Sequence, residues 1–209
     1  MYYFFTYTHY IIEMLPNEVE QVIVLTIMIG AGYVLYNYHI NSDHIYVKTQ
    51  DGDRYRVQKD HKDRKKAAEM IATLVRKSET LISHLEKIAP DDPRTTRLKT
   101  RFDPDNIIEK HDEDKATSYT INKGDRLVLC LRQKTDKSEL VDPNTAMFVM
   151  IHELGHIASE SIGHNQEFYE NNKWLLNHAI DIGVYQYVDY EQNNETYCGM
   201  EITNPIVDL

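Results

Sequence analysis

The chain has 209 residues, 42% hydrophobic and 27% charged, enough for one domain with a sizeable core plus appendages. A formal net charge of −10 at pH 7 argues against a general nucleic-acid binder, so direct nucleic-acid contact is not expected. The only two cysteines, Cys130 and Cys198, lack metal-site spacing; they could pair, but two are too few for a disulfide framework and read better as free thiols in a reducing compartment.

Residues 1–20 form an N-terminal segment that opens on Met1-Tyr2-Tyr3-Phe4-Phe5 and offers Met14 as an alternative start. From Gln21 to Ile40 there is no Asp, Glu, Lys or Arg, and Val22 to Tyr36 is mostly apolar. About twenty residues of helix cross a bilayer's hydrocarbon core. Residues 21–40 are therefore expected to form a transmembrane anchor, with Tyr33, Tyr36 and Tyr38 at one interface. The alternative is a buried core helix; a cleavable signal peptide fits less well after a long, acidic stretch. Eight basic residues lie between Lys48 and Lys66 and none before them. By the positive-inside rule this makes a single-pass membrane protein whose C-terminal domain is cytoplasmic. The basic run either touches anionic headgroups or simply begins a solvated helix.

Residues 41–66 read as a hairpin and basic juxtamembrane segment, because His44–Thr49 and Arg54–Val57 flank an Asp51-Gly52 turn. The main domain is expected over 67–209. Ala67, Ile71, Leu74, Val75, Leu81, Ile82, Leu85 and Ile88 describe an amphipathic helix from Asp60 to about Ile88, ended by Pro90. Asp91 to about Lys115 reads as loop with short strand pieces. Ser118–Ile121 and Arg126–Arg132 bracket Asn122-Lys123-Gly124-Asp125, a second hairpin whose later strand is apolar on both faces. Asp142 and Pro143 suit the N-cap and first position of a helix that Gly163 can stop. Asn165 caps a further helix from Gln166 to about Ile182, with Phe168, Leu175, Leu176, Ala179 and Ile180 as its apolar stripe.

The chemistry lies in His152-Glu153-Leu154-Gly155-His156. Two histidines at i and i+4 project from one helical face, where their imidazoles can grip one zinc ion. Glu153 then sits where it can take a proton from a water the metal activates. Apolar residues from Met147 to Ala158 back the motif. Catalytic zinc takes three protein ligands and leaves one position for water. His164 is the preferred third ligand, because it follows Gly163, where a reversing chain can bring a side chain back. Residues 157–163 separate it from His156, a longer gap than in metzincins. A downstream acid, Glu167, Glu170 or Asp181, is the alternative. Tyr185, Tyr187, Tyr190 and His178 are candidates by position alone for a second electrophile. His9, His39, His44, His61, His84 and His111 have no partner at ligand spacing and read as structural or exposed.

The HExxH segment followed by Gly163-His164-Asn165-Gln166-Glu167-Phe168 resembles the WLM and SprT-like zinc metallopeptidases. In those families a Gly-His or Pro-His pair, with an aromatic four residues after the histidine, supplies the third ligand. The ending Tyr197-Cys198-Gly199-Met200 is similar to that of small WLM-like proteins of large DNA viruses. The resemblance spans Asp60 to Ile182. It implies an α+β, zincin-like (minigluzincin) domain with a small mixed sheet and an HExxH active-site helix. It also implies one catalytic Zn2+ on His152, His156 and His164, Glu153 as general base, and a protein or peptide substrate. Characterised members cleave proteins crosslinked to DNA, but this chain has no evident DNA-binding extension. After Lys66 it carries fifteen basic residues against twenty-five acids, so the substrate stays open. The expectation is a membrane-anchored zinc metallopeptidase. The alternative is a non-catalytic, zinc-containing, membrane-tethered interaction module, against which the presence of Glu153 speaks.

Overall fold

The computed structural model describes residues 18–41, 43–134, 136 and 139–203, so the opening aromatic run, Met14 and His9 lie outside the described residues. The chain divides into two units, Met1–Asp43 and His44–Leu209.

The first unit holds helix α1, Glu18–Asn41, whose Glu18 and Glu20 suit the positive end of a helix. Val22, Ile23, Leu25, Ile27, Ile29, Val34 and Leu35 are all exposed. Among the described residues no helix is long and apolar enough to cross a membrane. The expected anchor at residues 21–40 is therefore overturned, and with it the single-pass, cytoplasmic-side localisation. The physical reason is that uncharged is not the same as apolar. The apolar run from Val22 to Leu35 makes only about 21 Å of helix, against a hydrocarbon core of about 30 Å. Twenty residues are reached only by counting Gln21, Asn37 and His39, whose polar groups hydrocarbon cannot satisfy.

The second unit is α+β, as expected. Strands β1 (His44–Lys48) and β2 (Arg54–Gln58) pair antiparallel through the Asp-Gly turn. Helix α2 (Arg64–Ile88) buries Ala67, Ile71, Leu74, Val75, Leu81, Ile82 and Leu85, while Ile88 at its end is exposed. The segment expected to be loop contains more structure. Helix α3 (Pro93–Arg101) is capped by Asp92, whose carboxylate accepts from Arg94 N at 2.8 Å. A 3-10 turn at Pro104–Asn106 then leads into β3 (Ile107–Glu109). Only Thr95 and Leu98 of α3 are buried, so this short helix has no apolar period to read. β3 is three residues long and exists through its parallel neighbours, β2 and β5, which are distant in sequence.

Strands β4 (Tyr119–Ile121) and β5 (Arg126–Leu129) form the second hairpin and complete a five-stranded mixed sheet of order β1-β2-β3-β5-β4. β5 is interior, which explains its two apolar faces, and β4 is the edge. Helix α4 (Pro143–Ala158) starts as expected: Pro143 occupies the first turn and Asp142 accepts from Thr145 N at 2.8 Å. Helix α5 (Gln166–Asp181) is capped by Asn165. A last hairpin, β6 (Glu195–Tyr197) and β7 (Met200–Ile202), completes the five α-helices and seven strands of the described residues. α4 and α5 cross closely at Gly155: a Cβ there would stand 3.2 Å from the Phe168 ring and 3.3 Å from Asn172 Cβ.

Two buried links hold the sheet to its surroundings. Glu109 at the end of β3 accepts from Gln58 N and Arg132 Nε, both at 2.7 Å, and Arg132 Nη1 reaches Asp63 at 2.6 Å. Cys130 and Cys198 are joined in a disulfide with Cα atoms 6.3 Å apart, which corrects the free-thiol reading. The pairing had no local sign, since 68 positions separate the two residues. It ties the β6–β7 hairpin to the end of β5. Closing a loop of that length stabilises the fold by about 4 kcal/mol through the unfolded chain's lost entropy. A Cys198→Ser variant, or the reduced protein, is expected to lose that amount in urea unfolding; an unchanged midpoint would refute it.

Candidate active site

The site is built on α4, which α3, α5 and the sheet enclose. His152 and His156 are half-buried on its one open face, and Gly163 lets the chain return. With φ at 84°, Gly163 adopts the left-handed conformation that other residues resist, and His164 folds back to the helix. His164 Nε2 lies 3.0 Å from His152 Nε2 and 3.2 Å from His156 Nε2. Among the described residues this is the one cluster of three or more His, Cys, Asp or Glu side chains that could hold a metal ion.

Phe168, wholly buried, forms the floor of the cluster. Its ring stacks on His156 at 4.3 Å and meets His152 and His164 edge-on at 4.8 and 4.7 Å. Burial, with the neighbouring imidazoles adding to it, pushes the pKa of His152 down to about 3 and that of His156 to about 4. Both rings are therefore neutral at physiological pH and offer lone pairs. Each ring nitrogen offers one in-plane proton or one lone pair, so His164 Nε2 cannot hydrogen-bond both neighbours at once. Tetrahedral zinc with bonds of about 2.0–2.1 Å sets its ligand nitrogens roughly 3.3 Å apart, so the cluster fits such an ion.

Glu153 points from the same helix towards the sheet and is buried. Its Oε2 accepts from Thr120 Oγ1 on edge strand β4 at 2.8 Å. Burial pushes its pKa up to about 7, the hydrogen bond from Thr120 opposing the shift. Nothing in the sequence singled out Thr120; a threonine in a three-residue strand has no assignable partner until the sheet is placed against α4.

An open cleft of about 1000 Å³ runs past these groups. β4 and Lys123 line it together with Phe148 and Val149 of α4, Tyr169, and Met200 and Ile202 of the β6–β7 hairpin. That hairpin is fixed beside β4 by Tyr197, whose hydroxyl donates to Cys130 O and contacts Ser118 Oγ, each at 2.7 Å.

The remaining candidates lie elsewhere. Glu167 does not face the histidines but turns to the loop that leads to His164, accepting from Glu160 N and Ser161 N. Glu170 accepts from Gln166 Nε2, and Asp181 is exposed at the end of α5. Tyr185 and Tyr190 are buried against Phe148 in the core. His178 packs on Trp174 and His84, and Tyr187 packs half-buried against the core. His44 Nε2 contacts Glu109 O at 2.7 Å, and His61 lies 3.4 Å from Asp112.

The WLM domain family matches residues 54–205, far more than half of the chain. The chain belongs to the WLM family. This WLM protein is 26% identical to uncharacterized protein R325 of Acanthamoeba polyphaga mimivirus over 189 residues, 88% of this chain and 95% of that one. It is also 38% identical to uncharacterized protein 136R of Invertebrate iridescent virus 6 over 69 residues, 32% of this chain and 38% of the relative. Among solved structures, Wss1 from Saccharomyces cerevisiae aligns with a TM-score of 0.47 at 22% identity, over 61% of this chain and 87% of that one.

Proposed function

We propose that this WLM protein is a zinc-dependent metallopeptidase with a zincin-like fold, acting on protein or peptide chains. The observation that carries the reading is a three-imidazole cluster, two rings from α4 and one from the loop after it, beside a buried carboxylate of α4 at the same cleft. A structural zinc site is closed by four ligands and has no use for a base. His152, His156 and His164 would hold the ion through their Nε2 atoms. When bound, zinc supplies Lewis acidity, acidifying a water and polarising a peptide carbonyl.

The chain's own groups supply the rest. Glu153 accepts the attacking water's proton on the oxygen that Thr120 leaves available, then passes it to the departing amine. Its raised pKa suits that exchange near neutral pH. The edge of β4 aligns an extended substrate by main-chain hydrogen bonds, placing a peptide carbonyl beside Glu153. The acidic surface favours direct recognition of protein over nucleic acid.

Thr120→Val is expected to lower kcat roughly tenfold, about 1.4 kcal/mol in barrier, with KM unchanged and Thr120→Ser restoring the rate. Equal kcat in all three proteins would remove Thr120 from the mechanism. The function itself is tested by metal analysis and peptide cleavage with the purified full chain. One zinc per chain, loss of cleavage on chelation and its return with added zinc are expected. A protein that takes up no zinc refutes the reading; zinc uptake without cleavage across a broad peptide panel points to a non-catalytic zinc module.

A further inference from the structure

The loop that carries His164 receives little support at its tip. Ile162 is 91% exposed, and a Cβ built on Gly163 would meet nothing within 4 Å. Packing therefore reaches His164 through the Phe168 ring beneath it and not through the residues just before it. Its position is inherited from the residues on either side.

Those residues are fastened repeatedly. Ser159, wholly buried, accepts from Asn171 Nδ2 at 2.9 Å and donates to Gly155 O at 2.7 Å. Arg97 Nε donates to Ala158 O at 2.5 Å, and Lys123 donates to Ser161 O. Besides Lys123 and an Arg97–Glu160 ion pair, the last step before the tip is held by one carboxylate. Glu167, in the first turn of α5, accepts from Glu160 N at 2.8 Å, from Ser161 N at 2.9 Å and from Ser161 Oγ at 2.5 Å. Asn165, just after the tip, caps α5 and lies 3.0 Å from the same Ser161 hydroxyl, whose single proton goes to Glu167 at the shorter distance. Glu167 and Asn165 thus clamp both ends of a short exposed arc, and His164 lies within it.

We propose that Glu167 is the positioning residue for the third metal ligand: its carboxylate clasps residues 160–161 and so sets where His164 meets His152 and His156. The inference rests on the zinc reading of the site. A carboxylate is suited to the task because it has only acceptors and the loop presents three donors. Charge strengthens each bond, and the negative group also sits favourably at the start of a helix. Glu167 touches neither metal nor substrate in this role; it reduces the conformations His164 would otherwise sample before binding.

The test measures zinc affinity of the full chain by competition with a chromophoric chelator, with circular dichroism to check folding. Glu167→Ala should weaken zinc binding by about 10–100-fold, the usual effect of losing a group that orients a ligand. Glu167→Gln keeps one acceptor and should show a smaller loss. Glu170→Ala, on the same helix but outside the clasp, should bind as wild type does. The decisive comparison adds Glu167→Ala to His164→Ala. With the third ligand gone, losing the clasp should weaken binding no further. If wild type binds zinc and Glu167→Ala binds it equally, or if the Glu167→Ala loss persists undiminished without His164, the positioning role is refuted. If wild type binds no zinc, the zinc reading falls first and this inference with it.

Discussion

Replacing Glu153 with glutamine is expected to slow peptide-bond cleavage by about 10²–10⁴-fold, the usual contribution of a positioned general base. Zinc content and folding should not change. Glutamine matches the carboxylate in size and still accepts from Thr120, which holds Oε2 at 2.8 Å, so the packing around α4 survives. What is lost is the capacity to take a proton. The pH dependence should carry the same signature. Burial pushes the Glu153 carboxyl up to about 7, and a cation held by the adjacent histidines would pull it back down. Below that titration the group is protonated and cannot act as a base, so the wild-type rate should fall on the acid side. The glutamine variant should show a flat residual rate there. Comparable cleavage by the two proteins would exclude Glu153 as the base.

The second large effect concerns stability. Arg132→Met is expected to destabilise the fold by about 3–5 kcal/mol, because it leaves a buried carboxylate without its cation. Glu109 is fully buried, and the Arg132 guanidinium, itself buried, bridges it to Asp63. Burial already holds the Glu109 carboxyl above its ordinary range, with Arg132 opposing that shift. Removing Arg132 raises it further. The folded variant then binds a proton that the unfolded chain does not, so its stability rises as pH falls from neutral towards the usual carboxylate range. The deficit relative to wild type should narrow over that interval. Urea unfolding at two pH values measures both parts, and a deficit below 1 kcal/mol at neutral pH would mean the cluster is not holding the sheet as described.

The active helix and most of the histidine cluster were legible in the sequence because their signals are local. Asp142-Pro143, the i to i+4 histidines and the apolar residues behind them all lie within a single helix of 16 residues and its cap. Gly163 followed by His164, with Phe168 one turn into the next helix, is likewise a short-range pattern. The same reasoning failed where the deciding interaction is remote or where composition stood in for energetics. Residues 21–40 carry no charge, yet their apolar stretch is too short to cross a membrane.

Sequence alone was thus sufficient for the start of α4 (which ends at Ala158, ahead of the expected stop at Gly163), for α5, both early hairpins and the histidines that face one another, since each depends on backbone spacing and turn chemistry within a few residues. Only tertiary structure decided which strand is the sheet's edge, that Thr120 meets Glu153, that Glu167 clasps the loop instead of joining the histidines, and that Cys130 and Cys198 pair. The Glu167 clasp depends on the path of a seven-residue loop, and the others join residues far apart in sequence whose approach is fixed by how helices and strands pack, which has no signature in any short stretch of chain.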